Sequence, residues 1–230
     1  MSDNKHSYYK LALPYALPYV AYVIIANSFS GLDSGVNYTI RVVVVCAILF
    51  WGWRSYVPFR GPGNYVYSII IGIIFGLAGT FLWVALLSPF VTPGNMASDN
   101  FSFFMRLFAS TLLVPVFEEL LMRVYVFRLA HQWYVERKTN THDAYKKVMH
   151  EKSPNDFKPG DWNLFAIIFS TIIFSLGHQL IEWPSANVYG FLMALLWILR
   201  KDVLSCIIAH ATTNLVFGIY VYTTGSWQYW

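Results

Sequence analysis

Charge is what this chain has least of. Asp, Glu, Lys and Arg make up 12% of its 230 residues, about half the share of an average soluble domain. With 57% hydrophobic residues, 19% aromatics and a mean hydropathy of +0.46, a water-soluble globular domain is excluded. A nucleic-acid binder is excluded with it: the formal net charge of +4 reports which loops face the cytoplasm rather than a phosphate-binding surface. Cysteine is nearly absent. Cys46 and Cys206 both lie in apolar segments without CxxC spacing, which reads as two small buried hydrophobes and no disulfide framework. No internal repeat, low-complexity tract or second domain interrupts residues 1–230, so one membrane-embedded domain is expected.

What is present is a series of long apolar segments. Crossing a bilayer takes about 20 mostly apolar residues, and segments near that length fall at 11–29, 38–53, 65–87, 103–127, 162–180, 186–199 and 203–223. The expectation is an all-α polytopic transmembrane helix bundle of about seven spans. Loop charges support the count. Lys5, Lys10, Arg54, Arg60, Arg128, Arg137, Lys138, Lys146, Lys147, Lys152, Lys158, Arg200 and Lys201 all fall on one side of a seven-span chain, with Arg41 and Arg106 near the other. The positive-inside rule then puts the N-terminus in the cytoplasm. The 131–161 segment, broken by Pro154, Pro159 and Gly160, reads as a solvated connector with one amphipathic turn at most. Its lysines lie close to lipid headgroups.

Against this background the few polar groups inside the spans carry the functional signal, because an ionised side chain in hydrocarbon is costly and usually has a task. In "VPVFEELLMR", Glu119 and Arg123 are i and i+4 and share a helix face, which suits an internal ion pair. Glu118 points about 100° away and has no polar neighbour at i±3 or i±4. An unpaired buried carboxylate suits acid–base work. His178 closes "FSLGH", with Phe174 one turn earlier and Gly177 allowing another helix to approach. In "HATTN", His210 and Asn214 are again i and i+4, and two donors on one face suit an oxyanion.

The chemistry that uses this set is hydrolysis. Glu118 with His178 would polarise water, while His210 and Asn214 stabilise a tetrahedral oxyanion. No serine or cysteine has a neighbouring base, so no cofactor and no covalent nucleophile is required. A zinc site of Glu118, His178 and His210 is the metal-dependent alternative, without HExxH spacing. Two other classes use the same residues: a transporter or proton relay, and a helix–helix ion cluster in a silent scaffold.

These motifs have a family resemblance. "EELLMR" fits EExxxR, "FSLGH" fits FxxxH and "HATTN" fits HxxxN, in that order on successive late segments. The chain thereby resembles the CPBP intramembrane proteases, the CAAX prenyl endopeptidase and bacteriocin-processing group, from about Pro115 onward, with a motif-bearing core at about 103–223. The stretch 182–230 looks like the bacterial CAAX prenyl protease-related subgroup that accompanies exosortase sorting systems. The resemblance implies an intramembrane endopeptidase of a bacterial inner membrane. Glu118 and His178 would activate water, His210 and Asn214 would hold the oxyanion, and Glu119, Arg123 and Phe174 would support them. The implied partners are the lipid bilayer, a membrane protein or lipidated peptide as substrate, and an exosortase-type sorting system. The family's eight helices imply one short or re-entrant helix beyond the seven. The site is expected near the membrane midplane, opening toward the cytoplasm.

Overall fold

The computed structural model describes residues 8–92, 94, 97–139, 142–150, 152–153 and 156–230; Lys5 and Pro154 lie outside them. Among the described residues there are eight helices and no strands. We number them α1 (Tyr8–Ser28), α2 (Ser34–Gly52), α3 (Tyr65–Leu87), α4 (100–139), α5 (Ala144–His150), α6 (Leu164–Leu176), α7 (Trp183–Arg200) and α8 (Val203–Thr224).

Helix starts are set by short polar caps rather than by the hydrophobic runs. The side chains of Asp33, Asn64, Asp99, Asn163 and Asp202 each accept a hydrogen bond from a backbone N–H in the first turn of the helix that follows, at 2.7–3.2 Å. This is why α2 and α4 begin a few residues before the apolar segments that announce them. Helix α7 starts at Trp183–Pro184, after a tight turn in which Gln179 N–H donates to Glu182.

Seven of the eight helices lie where the seven spans are expected. Three regions, 34–55, 65–90 and 203–224, are by length and composition sufficient to cross a membrane. Helix α6, at 13 residues, extends only about 20 Å at 1.5 Å per residue, short of a hydrocarbon core of about 30 Å. The eighth helix, α5, has 7 residues and spans nothing.

The 131–161 segment differs from the expected connector. Helix α4 runs on to Thr139, and α5 packs back on it through Ala144, Val148 and Met149, all buried. Glu136 binds Lys147 at 2.7 Å and Lys152 at 3.3 Å. These contacts, the hydrogen-bonded Lys147 ammonium foremost, hold the Glu136 carboxyl below its ordinary range. A carboxyl so depressed favours the packed form above its ordinary pKa, and that contribution disappears as the medium is acidified below it.

The closest helix pair is α3 with α8. They run parallel, with Gly72 against Ser205 and Ile208, Gly76 against Ala209 and Thr212, and Gly79 against Thr213 and Tyr189. A Cβ at Gly76 would stand 2.5 Å from Thr212 Cβ and 2.6 Å from the Ala209 carbonyl oxygen. Small residues at this spacing let two backbones touch where no hydrophobic force between helices is available. Thr213 Oγ1 donates to the Gly76 carbonyl at 2.9 Å across the contact. Gly76→Ala is therefore expected to lower stability by about 1–3 kcal/mol through overpacking against backbone, read from unfolding in detergent. Gly31→Ala, with nothing within 4 Å, should leave it unchanged.

Candidate active site

Helix α4 is irregular where it matters. Two π-helical segments, Ala109–Leu113 and Leu120–Phe127, flank the regular turn Val114–Glu119 that carries both glutamates. Such segments widen the helix, free backbone carbonyls and cluster at functional sites.

Glu119 and Arg123 are both fully buried, and Arg123 Nε donates to Glu119 Oε2 at 3.0 Å, so the i,i+4 ion pair forms. Its guanidinium also reaches the Gly190 carbonyl of α7 at 3.5 Å. The second carboxylate oxygen does something that helix geometry within α4 does not announce. Glu119 Oε1 accepts a hydrogen bond from His210 Nδ1 of α8 at 2.9 Å. Glu119 is thus shared between Arg123 and His210 rather than reserved for the arginine.

The remaining ring nitrogen, His210 Nε2, faces Glu118 Oε2 at 3.9 Å, beyond hydrogen-bond length. Glu118 lines a cavity of about 150 Å3 together with Phe174, His178, His210 and Asn214. The five residues named for water activation and the FxxxH and HxxxN motifs therefore meet around one space, while Glu119 and Arg123 lie behind its wall.

His178 sits just past the end of α6, where Gly177 admits the Tyr19 hydroxyl of α1; a Cβ there would be 2.6 Å from it. His178 Nδ1 lies 3.0 Å from the Phe174 carbonyl oxygen. A carbonyl can only accept, so Nδ1 carries the proton and Nε2 is the nitrogen left to act as a base. The ring is framed by Phe174 at 4.7 Å and Trp83 at 5.2 Å. Asn214 is more committed than its helix position suggests: its Nδ2 donates to the Ser110 carbonyl at 2.7 Å, in the first π-helical segment. One N–H of the amide remains for another acceptor.

Other residues that no motif marks also line the cavity, Trp83, Arg106, Tyr189 and Thr213 among them. Tyr189 is buried against His210, and its hydroxyl donates to Thr213 Oγ1 at 3.1 Å. The Gly72/Gly76/Gly79 spacing in α3 is the signal that would have drawn α3 and Thr213 into the site. As to a metal, no group of three or more His, Cys, Asp or Glu side chains able to hold an ion is found among the described residues. Both Nδ1 atoms of the two histidines are engaged elsewhere.

The location of the cavity departs from expectation. It is lined by Trp83 late in α3, Arg106 early in α4, His178 and Glu182 in the α6–α7 turn, and Phe217 late in α8. That is the end of the bundle away from the Lys- and Arg-rich segments, which gather where Gly61 and Gly160 meet Lys201 and where Arg200 meets Ser68. An opening toward the basic face, the one expected to be cytoplasmic, is therefore corrected to one on the opposite half, because His178 follows the far end of α6.

Removing Arg123 would strand a buried carboxylate, and losing one partner of a buried pair costs about 3–5 kcal/mol. Arg123→Met is expected to destabilise by that amount in denaturant unfolding. Glu118→Gln, which breaks no hydrogen bond, should stay within about 1 kcal/mol of the parent chain.

Among known proteins, the family model described as type II CAAX prenyl endopeptidase Rce1-like matches residues 100–216, a stretch that contains all of the cavity-lining residues except Trp83, Phe217 and Tyr229. No curated protein and no solved structure matches the chain.

Proposed function

Because this integral membrane protein belongs to the type II CAAX prenyl endopeptidase Rce1-like family of the CPBP intramembrane proteases, we propose that it is an active intramembrane endopeptidase that hydrolyses a peptide bond in a membrane-associated or lipid-linked protein. The observation that carries the reading is the free carboxylate of Glu118. Among the described residues it has no hydrogen-bonded partner, its nearest being His210 Nε2 at 3.9 Å, and it shares a small cavity with two histidines and an asparagine.

In the proposed reaction, Glu118 and Nε2 of His178 hold one water and draw off its proton as it attacks the scissile carbonyl. The proton passes to the leaving amine. His210 Nε2 and the remaining N–H of Asn214 face the developing oxyanion. For Nε2 to donate while Nδ1 donates to Glu119, His210 must carry both ring protons. The Glu119 carboxylate at 2.9 Å supplies the counter-charge for that form, with Arg123 holding the carboxylate in place. Glu119, Arg123 and the Phe174 carbonyl thus act as positioning groups. No step requires a metal, and the zinc alternative of Glu118, His178 and His210 is tested by metal analysis of the purified protein.

The proposal extends to orientation. With the basic loops in the cytoplasm, the cavity serves substrates reached from the non-cytoplasmic half of a bacterial inner membrane. This suits exported, sorted or lipid-linked proteins, including those of an exosortase-type system, better than cytoplasmic prenylated ones.

General acid–base groups contribute about 10²–10⁴ in rate, and Glu118→Gln and His178→Ala should each abolish measurable turnover by a protein that still purifies as a folded species. Comparing the termini of membrane proteins from cells carrying the parent enzyme or Glu118→Gln identifies the substrate. Full cleavage by Glu118→Gln would end the assignment. Loss of an ion flux in the same variant, with no change in any terminus, would favour a transporter.

A further inference from the structure

Toward the basic end of the bundle, and sharing no lining residue with the candidate active site, lies a cavity of about 510 Å3. It opens between the loop before α3, the segment before α6 and the α7–α8 junction. We propose that it binds an anionic phospholipid, taking the phosphate at its mouth and the upper part of an acyl chain on its floor.

The mouth is cationic. Arg60, Lys158 and Lys201 all line it, and among the described residues none of the three forms an ion pair. Arg60 stacks on Tyr65 at 4.6 Å, which leaves its N–H groups free for an anion. The one carboxylate in the lining, Asp202, is already used. It accepts from Ser68 Oγ and from Ser205 N–H, each at 2.7 Å, and lies 3.9 Å from Arg200 Nε. Among the described residues the three cations therefore have no paired counter-charge.

The floor is apolar. Phe157 and Trp197 lie near-parallel there, 6.4 Å apart, and Trp197 is 4% exposed, a surface that suits the upper part of an acyl chain.

Lys201 adds an independent sign. It ends α7 in the left-handed conformation, φ 59°, and is the one non-glycine residue with positive φ among the described residues. Glycine is the usual occupant of that position and would be unstrained. Here the glycines are instead the neighbours. Gly160, φ +85°, lies against the Lys201 stem, where a Cβ would be 2.5 Å from Cγ, and Gly61 lies against the Lys201 carbonyl. Strain kept at a side chain that faces a cavity suggests that the side chain is wanted there.

The test uses the purified full chain in detergent, with native mass spectrometry and phosphatidylglycerol or phosphatidylcholine of equal chain length. Phosphatidylglycerol should be retained about ten-fold better, and the Arg60→Gln/Lys158→Gln/Lys201→Gln variant should lose that preference. Lys201→Gly relieves the backbone strain, so it should melt no lower than the parent chain and still bind phosphatidylglycerol several-fold more weakly. Arg137→Gln, a basic residue of the same face outside the cavity, should keep the preference. Equal retention of both lipids, a preference kept by the triple variant, or displacement of the lipid by millimolar inorganic phosphate would overturn the assignment. All these readouts are independent of proteolysis.

Discussion

The rest of this structure hangs on the Glu119 carboxylate. A charge with no exposure, in a protein set in hydrocarbon, is tolerable only if it is paired and each oxygen is hydrogen-bonded. Glu119 achieves this with Arg123 on one oxygen and His210 on the other. Those two bonds, with the Arg123 contact to the Gly190 carbonyl, tie three helices together at one point. They also leave one carboxylate outside the arrangement. Glu118 cannot reach Arg123, so it turns into the cavity. The contrast between adjacent glutamates follows from engaging both oxygens of one of them.

Close packing makes that geometry available. The glycines of α3 let α8 approach until Thr213 donates to the Gly76 carbonyl, which fixes the height of His210 and Asn214 on α8. The two π-helical segments of α4 provide the complementary irregularity. One supplies the Ser110 carbonyl that holds Asn214, and the other carries Arg123. Rigid backbone contacts therefore place both donors assigned to the oxyanion, in keeping with the need for preorganised dipoles in a dry site.

The two ends of the bundle divide in character. One gathers the unpaired cations around an apolar cavity, at the level where anionic headgroups lie. The other holds aromatic residues, Trp83, Trp227, Tyr229 and Trp230 among them, around the candidate active site and the C-terminal turn. The proposed hydrolytic chemistry and the proposed lipid contact thus fall to opposite ends of a chain of 230 residues, and neither needs the polar groups of the other.

Much of this was legible in the residue order. Composition determined an all-α membrane protein, since so little charge cannot cover a soluble surface. Spacing determined that Glu119 pairs with Arg123 and that Glu118 does not, since i and i+4 is a property of one helix. The ordered motifs on α4, α6 and α8 marked the residues that meet. Contacts between helices were not legible. That His210 binds Glu119, that Asn214 is held by Ser110, and that the cavity lies away from the basic loops depend on how α8 is set against α3 and α4. So do Trp83, Tyr189 and Thr213, which carry no charge to betray them in an apolar sequence. Periodicity reports which face of a helix a residue occupies; only tertiary packing decides what stands opposite it.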